Sequence, residues 1–327
     1  MGVALVMEQR IVERTAQVLV LQNDELRLTI RPDLGGRIDQ LQDCKTGREW
    51  LWHPSDYNPD QTRSLSINAG FDQHWTGGWD EIFPNDAAGT FQERNLVDHG
   101  ELWSQAWDIV SQSSQHVTLR LQCQTVPVQV EKTLRLHDSL PEMTIEYRFQ
   151  NQSEQSIPFL FKQHCAIAIE AGDEILLPDC WVEPAVPEFS TWIGRAEKTA
   201  FPQALAADGS AIDLRYAPPA TSQLQEFYYS SNLAIGQCGI RNQTSQSRLQ
   251  MEFDTSDFPY VWVFQSYGGW NGRYVVVLEP CTTMPYDLDI AYRNGTIAQL
   301  QPQEQQHRKL TVRLQRDRIT RKIDQSL

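Results

Sequence analysis

The sequence has no long hydrophobic run and comparatively few positive charges. Its 327 residues include 28 Lys and Arg against 42 Asp and Glu, which gives a formal net charge of −14 at pH 7. Nucleic acids and anionic membranes bind clustered Lys and Arg, so neither is an expected partner. No segment approaches the ~20 apolar residues of a membrane span. The opening MGVALVMEQR lacks the cationic start and cleavage site of a secretory signal. These absences predict a soluble, cytoplasmic protein.

Closely spaced cysteine pairs are also missing. The six cysteines stand singly, with no Cys-x-x-Cys pair. Zinc sites and the disulfide frameworks of small secreted proteins both need characteristic cysteine spacings. The sequence therefore predicts reduced thiols and no cysteine-based metal site.

Short alternating or apolar segments recur from near Val18 to near Leu314, separated by turn formers such as Gly35-Gly36. Helical periodicity is scarce, and the best helix candidates, at about 195–207 and 221–231, are short. This pattern predicts an all-β, antiparallel sandwich or barrel with many strands. No linker or repeat divides the chain. We expect one domain over residues 1–327, with a core at about 19–314 and a charged C-terminal tail.

The segment IPFLFKQHCAIAI, residues 157–169, predicts a strand with two different faces. Since side chains alternate along a strand, one face is largely apolar: Phe159, Phe161, Gln163, Cys165, Ile167 and Ile169. The other face carries smaller or polar residues: Leu160, Lys162, His164, Ala166 and Ala168. The small alanines leave room for a ligand beside His164. The alternative is an ordinary structural histidine.

A second strand, in GGWNGRYVVVLEPCT, places a carboxylate after four apolar residues. The segment from Tyr274 to Leu278 is typical of a strand covered on both faces, and Glu279 follows at its end. Buried carboxylates are rare unless they are paired. Glu279 either marks where the strand reaches water or belongs to a functional site.

Residues 68–109 are rich in aromatic and acidic side chains and poor in strand patterns. They contribute four tryptophans with acids and a histidine between them: Trp75, Trp79, Trp103, Trp107, Asp80, Glu81, Asp98, His99 and Glu101. Aromatic faces beside hydrogen-bond acceptors suit a neutral, polyhydroxylated ligand such as a sugar. In the alternative, the tryptophans close one end of the sandwich.

Three stretches together resemble the motifs of the aldose 1-epimerase family, the galactose mutarotase-like proteins. These are DHGELW around His99, KQHCAIAI around His164 and VVLEPCT around Glu279. The resemblance extends from about Leu19 to about Leu314. It implies a large antiparallel β-sandwich of the supersandwich type and the interconversion of the α and β anomers of free sugars.

The resemblance also implies roles for individual residues. Glu279 would be the general base for the anomeric hydroxyl, His164 the general acid for the ring oxygen, and His99 a second imidazole that binds the sugar near that oxygen. Ionised Glu279 would raise the pKa of His164. Acid–base chemistry of this kind requires no metal or organic cofactor. The residues expected to bind the sugar are Trp79, Asp80, Glu101 and Trp103.

The sequence departs from the family in its arginines. Related mutarotases usually carry an arginine shortly before the His-Gly motif, whereas Trp75 and Thr76 stand just before Gly77 here. Arg63 and Arg94 are candidate substitutes. Arg273 shares strand parity with Glu279 but lies six residues away, about 20 Å at ~3.3 Å per residue. These differences leave the identity of the sugar open.

Three alternatives compete with a mutarotase. A carbohydrate-binding protein on the same fold would use the aromatic and acidic residues without catalysis. A metal-dependent enzyme would bind an ion through His99, Glu101, His164 and Glu279. A hexose-6-phosphate mutarotase would need an Arg or Lys cluster near the pocket.

Overall fold

Antiparallel β-strands make up most of the regular structure, as the sequence predicts. A computed structural model describes residues 17–59, 65–194 and 198–316. Within them the chain forms 24 strands, two α-helices, α1 (Phe71–His74) and α2 (Leu288–Asn294), and a 3₁₀ turn at Ala220–Ser222. The all-β prediction is confirmed. The predicted charged tail lies outside the described residues from residue 317 onward.

The strands fall into two successive groups along the chain. The first group is β1 (Leu19–Gln22), β2 (Leu26–Arg31), β3 (Arg37–Asp43), β4 (Trp79–Ile82), β5 (Gly89–Phe91), β6 (Arg94–Leu96), β7 (Asp108–Gln112), β8 (His116–Gln122), β9 (Val128–Leu136), β10 (Glu142–Asn151), β11 (Ile157–Phe159) and β12 (Lys162–Ile167). The second is β13 (Glu174–Leu176), β14 (Trp181–Pro184), β15 (Thr199–Ala200), β16 (Gln203–Leu205), β17 (Ala211–Asp213), β18 (Leu224–Ser231), β19 (Gln237–Arg241), β20 (Ser247–Phe253), β21 (Tyr260–Tyr267), β22 (Tyr274–Cys281), β23 (Ala298–Leu300) and β24 (Gln305–Arg316).

Two large sheets contain most of these strands. The ten-stranded sheet has the order β1-β2-β3-β4-β12-β22-β21-β18-β14-β15, and the eight-stranded sheet has the order β13-β19-β20-β24-β10-β9-β8-β7. Strands β12 and β22 therefore lie in the middle of the larger sheet. In the smaller sheet, β24 lies between β20 and β10.

An apolar core joins residues from both large sheets. Ile38 and Val263 come from the ten-stranded sheet, and Ile145 and Leu249 from the eight-stranded sheet. Burial alternates along β9 and most of β10, as expected for strands with one face toward the core. By contrast, all six residues of β12 are buried. A second apolar cluster, which includes Ala166 of β12, covers the other face of the ten-stranded sheet.

A buried ion pair crosses the core between the sheets. Lys132 of β9 lies with its Nζ 2.5 Å from Glu81 Oε1 of β4, and both side chains are fully buried. The hydroxyl of Tyr147 donates to the same oxygen at 2.6 Å. We call Glu81 and Lys132 the core pair.

The candidate helices are wrong. The described part of residues 195–207 contains β15 and β16, and residues 221–231 contain all of β18. Strand β18 pairs along its length with β21, and these tertiary contacts outweigh weak local preferences. Neither helix in the described residues has the length and apolar character needed to cross a membrane.

Candidate active site

Three neighbouring strands place the central residues of the site side by side. Strand β12 pairs Lys162 with Cys281 and Cys165 with Leu278 of β22, so His164 lies opposite Glu279. On its other side, His164 pairs with Asp80 of β4. Directly opposite residues on antiparallel strands project from the same face of the sheet. A row of acid, imidazole and acid therefore crosses the outer face of the ten-stranded sheet.

The two predicted faces of β12 are confirmed. Phe159, Phe161, Cys165, Ile167 and Ile169 belong to the core between the sheets. Leu160 and Ala166 belong to the outer cluster, where Lys162 and His164 border a cavity. Alternation alone thus assigned His164 to the face that borders the cavity.

Strand β22 continues past the predicted end. Glu279 does not mark the end of the strand, because Pro280 and Cys281 extend it and pair with Val261 and Tyr260. Proline supplies no backbone N–H and is normally restricted to sheet edges and irregular positions. Here the ladder with β12 is interrupted at Glu279 and Pro280, between the pairs formed by Leu278 and Cys281.

A constrained turn delivers His99 to the same site. His99 and Gly100 have φ values of 55° and 62°. A Cβ at position 100 would lie 2.1 Å from the carbonyl oxygen of Phe83, so only glycine fits. The His99 ring stacks on Phe71 with centroids 4.0 Å apart. Its Nδ1 lies 2.8 Å from Asp98 Oδ1, and its Nε2 lies 3.6 Å from Asp86 Oδ1.

These residues surround a cavity of about 200 Å³. His99, His164 and Glu279, the three candidate catalytic residues, all line it. Its other lining residues are mostly aromatic: Phe71, Asp72, Trp75, Asp86, Lys162, Phe189, Phe227, Phe264 and Trp270. We call this space the Glu279 cavity.

Lys162 lines the candidate site, and the sequence assigned it no role. Its Nζ lies 2.7 Å from both Glu279 Oε2 and Asp86 Oδ1, and 4.6 Å from the ring centre of Trp262. Burial alone would lower the pKa of Lys162, but the two carboxylates outweigh burial and raise it. The lysine is therefore charged. Strand parity had already placed it on the same face as His164.

Glu279 is a buried carboxylate with one oxygen held and one oxygen available. Burial raises its pKa above the usual value, and the charge of Lys162 partly offsets this effect. Oε2 accepts a hydrogen bond from Lys162. Oε1 lies 3.6 Å from His164 Nε2, beyond hydrogen-bonding range.

His164 has a different charge state from the one predicted. Burial lowers its pKa well below the ordinary value, and the charges of Lys162 and His99 lower it further. The expectation that Glu279 raises this pKa is wrong, because burial disfavours the charged imidazolium and the charge of Lys162 lowers the pKa further. The surroundings of His164 therefore favour the neutral imidazole. Its Nδ1 is buried without a hydrogen-bond partner among the described residues.

The aromatic sugar-binding candidates, Trp79 and Trp103, do not line the Glu279 cavity. Trp79 faces the core between the sheets, where its Nε1 donates to Gln163 at 2.9 Å. Trp103 lies edge-on beneath Phe71 at 4.9 Å and donates to the carbonyl of Asp98. Strand parity turns Trp79 inward, and Phe71 separates Trp103 from the cavity.

The acidic candidates, Asp80 and Glu101, also lie away from the cavity lining. Glu101 is fully buried and accepts hydrogen bonds from the backbone N–H groups of Gln124 and Thr125 and from the Thr125 hydroxyl. Asp80 lies beside His164 but is buried, and burial raises its pKa to about 7. The predicted placement of all four sugar-binding candidates is thus corrected.

The aromatic lining comes largely from residues that the sequence did not single out. Phe71 is in α1, Phe227 in β18 and Phe264 in β21, and Trp270 is in the hairpin before β22. Phe227 and Phe264 are directly paired across their strands. Their shared face was readable from alternation, but their adjacency depends on a strand order that the sequence did not reveal.

The predicted metal set is not assembled. Glu101 is bound by Thr125 and Gln124, away from His99, His164 and Glu279. The described residues contain no group of three or more His, Cys, Asp or Glu suited to holding a metal ion. Of the candidate arginines, Arg94 lies in β6 and does not line the cavity, and Arg63 lies outside the described residues.

Comparison with known proteins gives a family and a fold. Residues 114–314, more than half of the chain, match the family model described as "Domain of unknown function (DUF4432)". This match includes Lys162, His164 and Glu279 and begins after His99. No curated protein matches the sequence.

Solved structures with a similar fold include the Slr1438 protein from Synechocystis sp. PCC 6803, at a TM-score of 0.68 and 15% identity over 94% of this chain and 100% of that chain. A galactose mutarotase-like protein from Lactobacillus casei ATCC 334 has a TM-score of 0.66 and 15% identity over 91% of this chain and 100% of that chain. A galactose mutarotase related enzyme from Lactobacillus acidophilus has a TM-score of 0.63 and 14% identity over 91% and 97%. The predicted galactose mutarotase-like β-sandwich is confirmed.

Proposed function

The chain belongs to the DUF4432 family, whose description names no activity, and we propose from its site that it is an aldose 1-epimerase-like mutarotase. It would interconvert the α and β anomers of a sugar by general acid–base catalysis. The observation that carries this proposal is the meeting of Glu279, His164 and His99 at one cavity with an aromatic lining. The names of the mutarotase-like structures of similar fold support it.

Glu279 is suited to be the base. Its Oε1 faces His164 while Oε2 is held by Lys162, so one oxygen can accept the proton of the anomeric hydroxyl. Burial makes the carboxylate more basic, and Lys162 favours its ionised form. A positioned base of this kind contributes roughly 10²- to 10⁴-fold to a rate.

The proton donor is better assigned to His99 than to His164. Burial lowers the pKa of His164 and disfavours its imidazolium form, so this histidine is better suited to share hydrogen bonds with the sugar than to protonate the ring oxygen. His99 has a carboxylate at each ring nitrogen and stacks on Phe71, which fixes the orientation of its ring. We therefore depart from the resemblance and give His99 the acid role.

The reaction then balances as follows. Glu279 takes the proton of the O1 hydroxyl, the bond between C1 and the ring oxygen breaks, and the ring oxygen takes a proton from His99. The aldehyde at C1 rotates, and the reverse steps close the ring as the other anomer. Ring closure returns both of the protons that ring opening moved, so Glu279 and His99 end in their starting states.

A sugar phosphate is less well suited to this cavity. Lys162 is the one Lys or Arg among its described lining residues, and two carboxylates already neutralise its charge. Phosphate recognition depends on available cationic donors. The geometry therefore favours an uncharged sugar ring at Glu279.

The test is the anomer exchange rate of a panel of aldoses, measured by saturation-transfer NMR on the wild type and on Glu279→Gln. We expect faster exchange than in buffer for at least one sugar, reduced roughly 10²- to 10⁴-fold by the substitution. Glu146→Gln is the matched control, since Glu146 is exposed on the opposite sheet.

Equal exchange by the wild type and Glu279→Gln would remove Glu279 from the reaction. If no sugar exchanges faster than in buffer but sugars still shift the tryptophan signals, the protein is a carbohydrate-binding protein instead. If the protein is active, the His99→Asn and His164→Asn variants distinguish the roles of the two imidazoles. Only the variant that lacks the general acid should lose the pH dependence of the exchange rate that this acid contributes.

A further inference from the structure

A second, larger cavity lies beside the Glu279 cavity. It has a volume of about 240 Å³ and is lined mainly by polar side chains, among them Asp56, Asn58, Gln73, His74 and Arg273. None of these five residues lines the Glu279 cavity. We call this space the Arg273 cavity.

Trp75 forms the wall between the two spaces, since it lines both. Its ring centre is 5.3 Å from that of His164 on one side and 5.2 Å from the Arg273 guanidinium carbon on the other. These two distances limit the separation of His164 and Arg273 to about 10.5 Å. Arg273 is thus within reach of a second ring linked to a sugar at His164.

Arg273 is the polar group in this region that most clearly lacks a partner. Its guanidinium lies 4.4 Å from the ring centre of Trp270 and faces Trp75 and Trp52 at longer range. Nη1 is buried and has no hydrogen-bond partner among the described residues. An unsatisfied buried donor costs free energy, so an acceptor supplied by a ligand would be favourable here.

The charges around Arg273 favour a neutral ligand over an anionic one, since Arg31, the other arginine of this cavity, is already paired with Asp33. Asp72 and Asp56 lie near enough to act on the guanidinium electrostatically. Two carboxylates would repel a phosphate or a carboxylate on a ligand. A sugar hydroxyl can accept a hydrogen bond from the arginine and donate one to a carboxylate. Tryptophan faces beside such donors and acceptors also suit sugar rings.

We propose that the Arg273 cavity binds a second sugar residue, so that the substrate is a neutral reducing disaccharide or a longer oligosaccharide. The reducing ring occupies the Glu279 cavity, and the next ring passes the Trp75 wall to reach Arg273. This inference rests on the proposed function for its substrate class, but the second cavity can be tested by binding alone.

The experiment compares glucose, galactose, maltose, cellobiose, lactose and glucose 6-phosphate in the exchange assay, with the wild type, Arg273→Gln and Arg135→Gln. Arg135 is exposed on β9 in the other sheet and serves as the matched control. We expect one disaccharide to have a kcat/KM at least ten times that of its own monosaccharide. Arg273→Gln should lower the disaccharide value about tenfold or more, as for one lost charge-assisted hydrogen bond, and leave the monosaccharide value unchanged.

Gln73→Trp provides a second variant in case Arg273→Gln does not fold. Gln73 is exposed and lines the Arg273 cavity, so a tryptophan there should block the second ring and spare the first. An equal effect of either substitution on monosaccharides and disaccharides would overturn the proposal. A preference for glucose 6-phosphate that is lost in Arg273→Gln would overturn it in favour of an anion site.

Failure of the proposed mutarotase activity gives a different result from failure of this inference. If no sugar exchanges, titration of the same sugars by tryptophan fluorescence still measures binding. Tighter binding of a disaccharide than of its monosaccharide, lost in Arg273→Gln, would support the second subsite without catalysis. Equal affinities would overturn it.

Discussion

Two buried glutamate–lysine pairs in this molecule have similar chemistry and different surroundings. The core pair, Glu81 and Lys132, joins the two sheets at 2.5 Å and is fully buried. The cavity pair, Glu279 and Lys162, lies at 2.7 Å on the outer face of the ten-stranded sheet. Burial raises the pKa of both glutamates, and the lysine opposes this effect in each pair.

The pairs differ in what the carboxylate can reach. Tyr147 donates to the same oxygen of Glu81 that faces Lys132, and the surrounding core leaves no room for a ligand. Glu279 lines a cavity together with two imidazoles. An ion pair in the core connects elements of structure, whereas the same ion pair beside a cavity keeps a carboxylate ionised and in position, as the proposed base requires. Access, rather than residue type, distinguishes them.

The largest expected effect comes from breaking the core pair. Lys132→Met leaves Glu81 as an uncompensated charge in the core, which should lower the free energy of unfolding by about 3–5 kcal/mol. Lys309→Met is the control, because Lys309 forms an exposed pair with Glu146 that is worth at most about 1 kcal/mol. Urea denaturation measures both. Similar losses in the two variants would contradict the distinction between buried and exposed pairs.

Asp80 extends the comparison to a buried carboxylate without a lysine bonded to it. Its folded-state pKa is raised to about 7, chiefly by burial. An unfolded chain releases this proton near pH 4 while the folded chain keeps it, so stability should fall as the pH rises from about 4 to about 7 and then level off. Asp80→Asn removes this loss. The free energy of unfolding of Asp80→Asn, relative to that of the wild type, should therefore rise across that window by an amount on the order of 2–4 kcal/mol.

Urea denaturation of the wild type and Asp80→Asn at several pH values tests this prediction. The other titrating groups are common to both proteins, so the difference between the two curves isolates Asp80. A difference that stays constant with pH would show that Asp80 titrates alike in the folded and unfolded chains.

Breaking the cavity pair should have a distinct effect, which appears in the activity. Lys162→Met removes the positive charge that favours ionised Glu279, so the pKa of Glu279 should rise by roughly 1–3 units. Since the base must be ionised, the acid limb of the profile of kcat/KM against pH should move to higher pH by a similar amount. Anomer exchange measured from about pH 5 to pH 9 shows the limb. An unchanged acid limb would show that Lys162 does not control the pKa of Glu279.

Alternation along single strands allowed much of the fold and part of the site to be predicted. The two faces of β12 followed from its residue pattern, as did the position of His164 among small neighbours. These features depend on local periodicity, which the sequence shows directly. The resemblance implied that His164 and Glu279 act on one sugar, but their position opposite each other depends on the adjacency and register of β12 and β22, which the structure provides.

Features that depend on how distant segments meet were not predictable in the same way. Trp79 was chosen for its residue type, whereas strand parity turns its side chain inward, away from the Glu279 cavity. Trp103 and Glu101 lie in a loop whose path no periodicity describes. The role of Lys162 depends on two carboxylates, Asp86 and Glu279, that are far apart in sequence and meet only in the folded chain.

The position of β24 has a consequence for how the molecule is made. This strand lies in the interior of the eight-stranded sheet, where it pairs with β10, more than 150 residues earlier in the chain, and with β20. On the ribosome, β10 and β20 must wait with unpaired edges until residues up to Arg316 have emerged. Unpaired strand edges associate readily with other chains. We therefore expect synthesis of this protein to depend on chaperones that shield the nascent sheet until its central strand arrives.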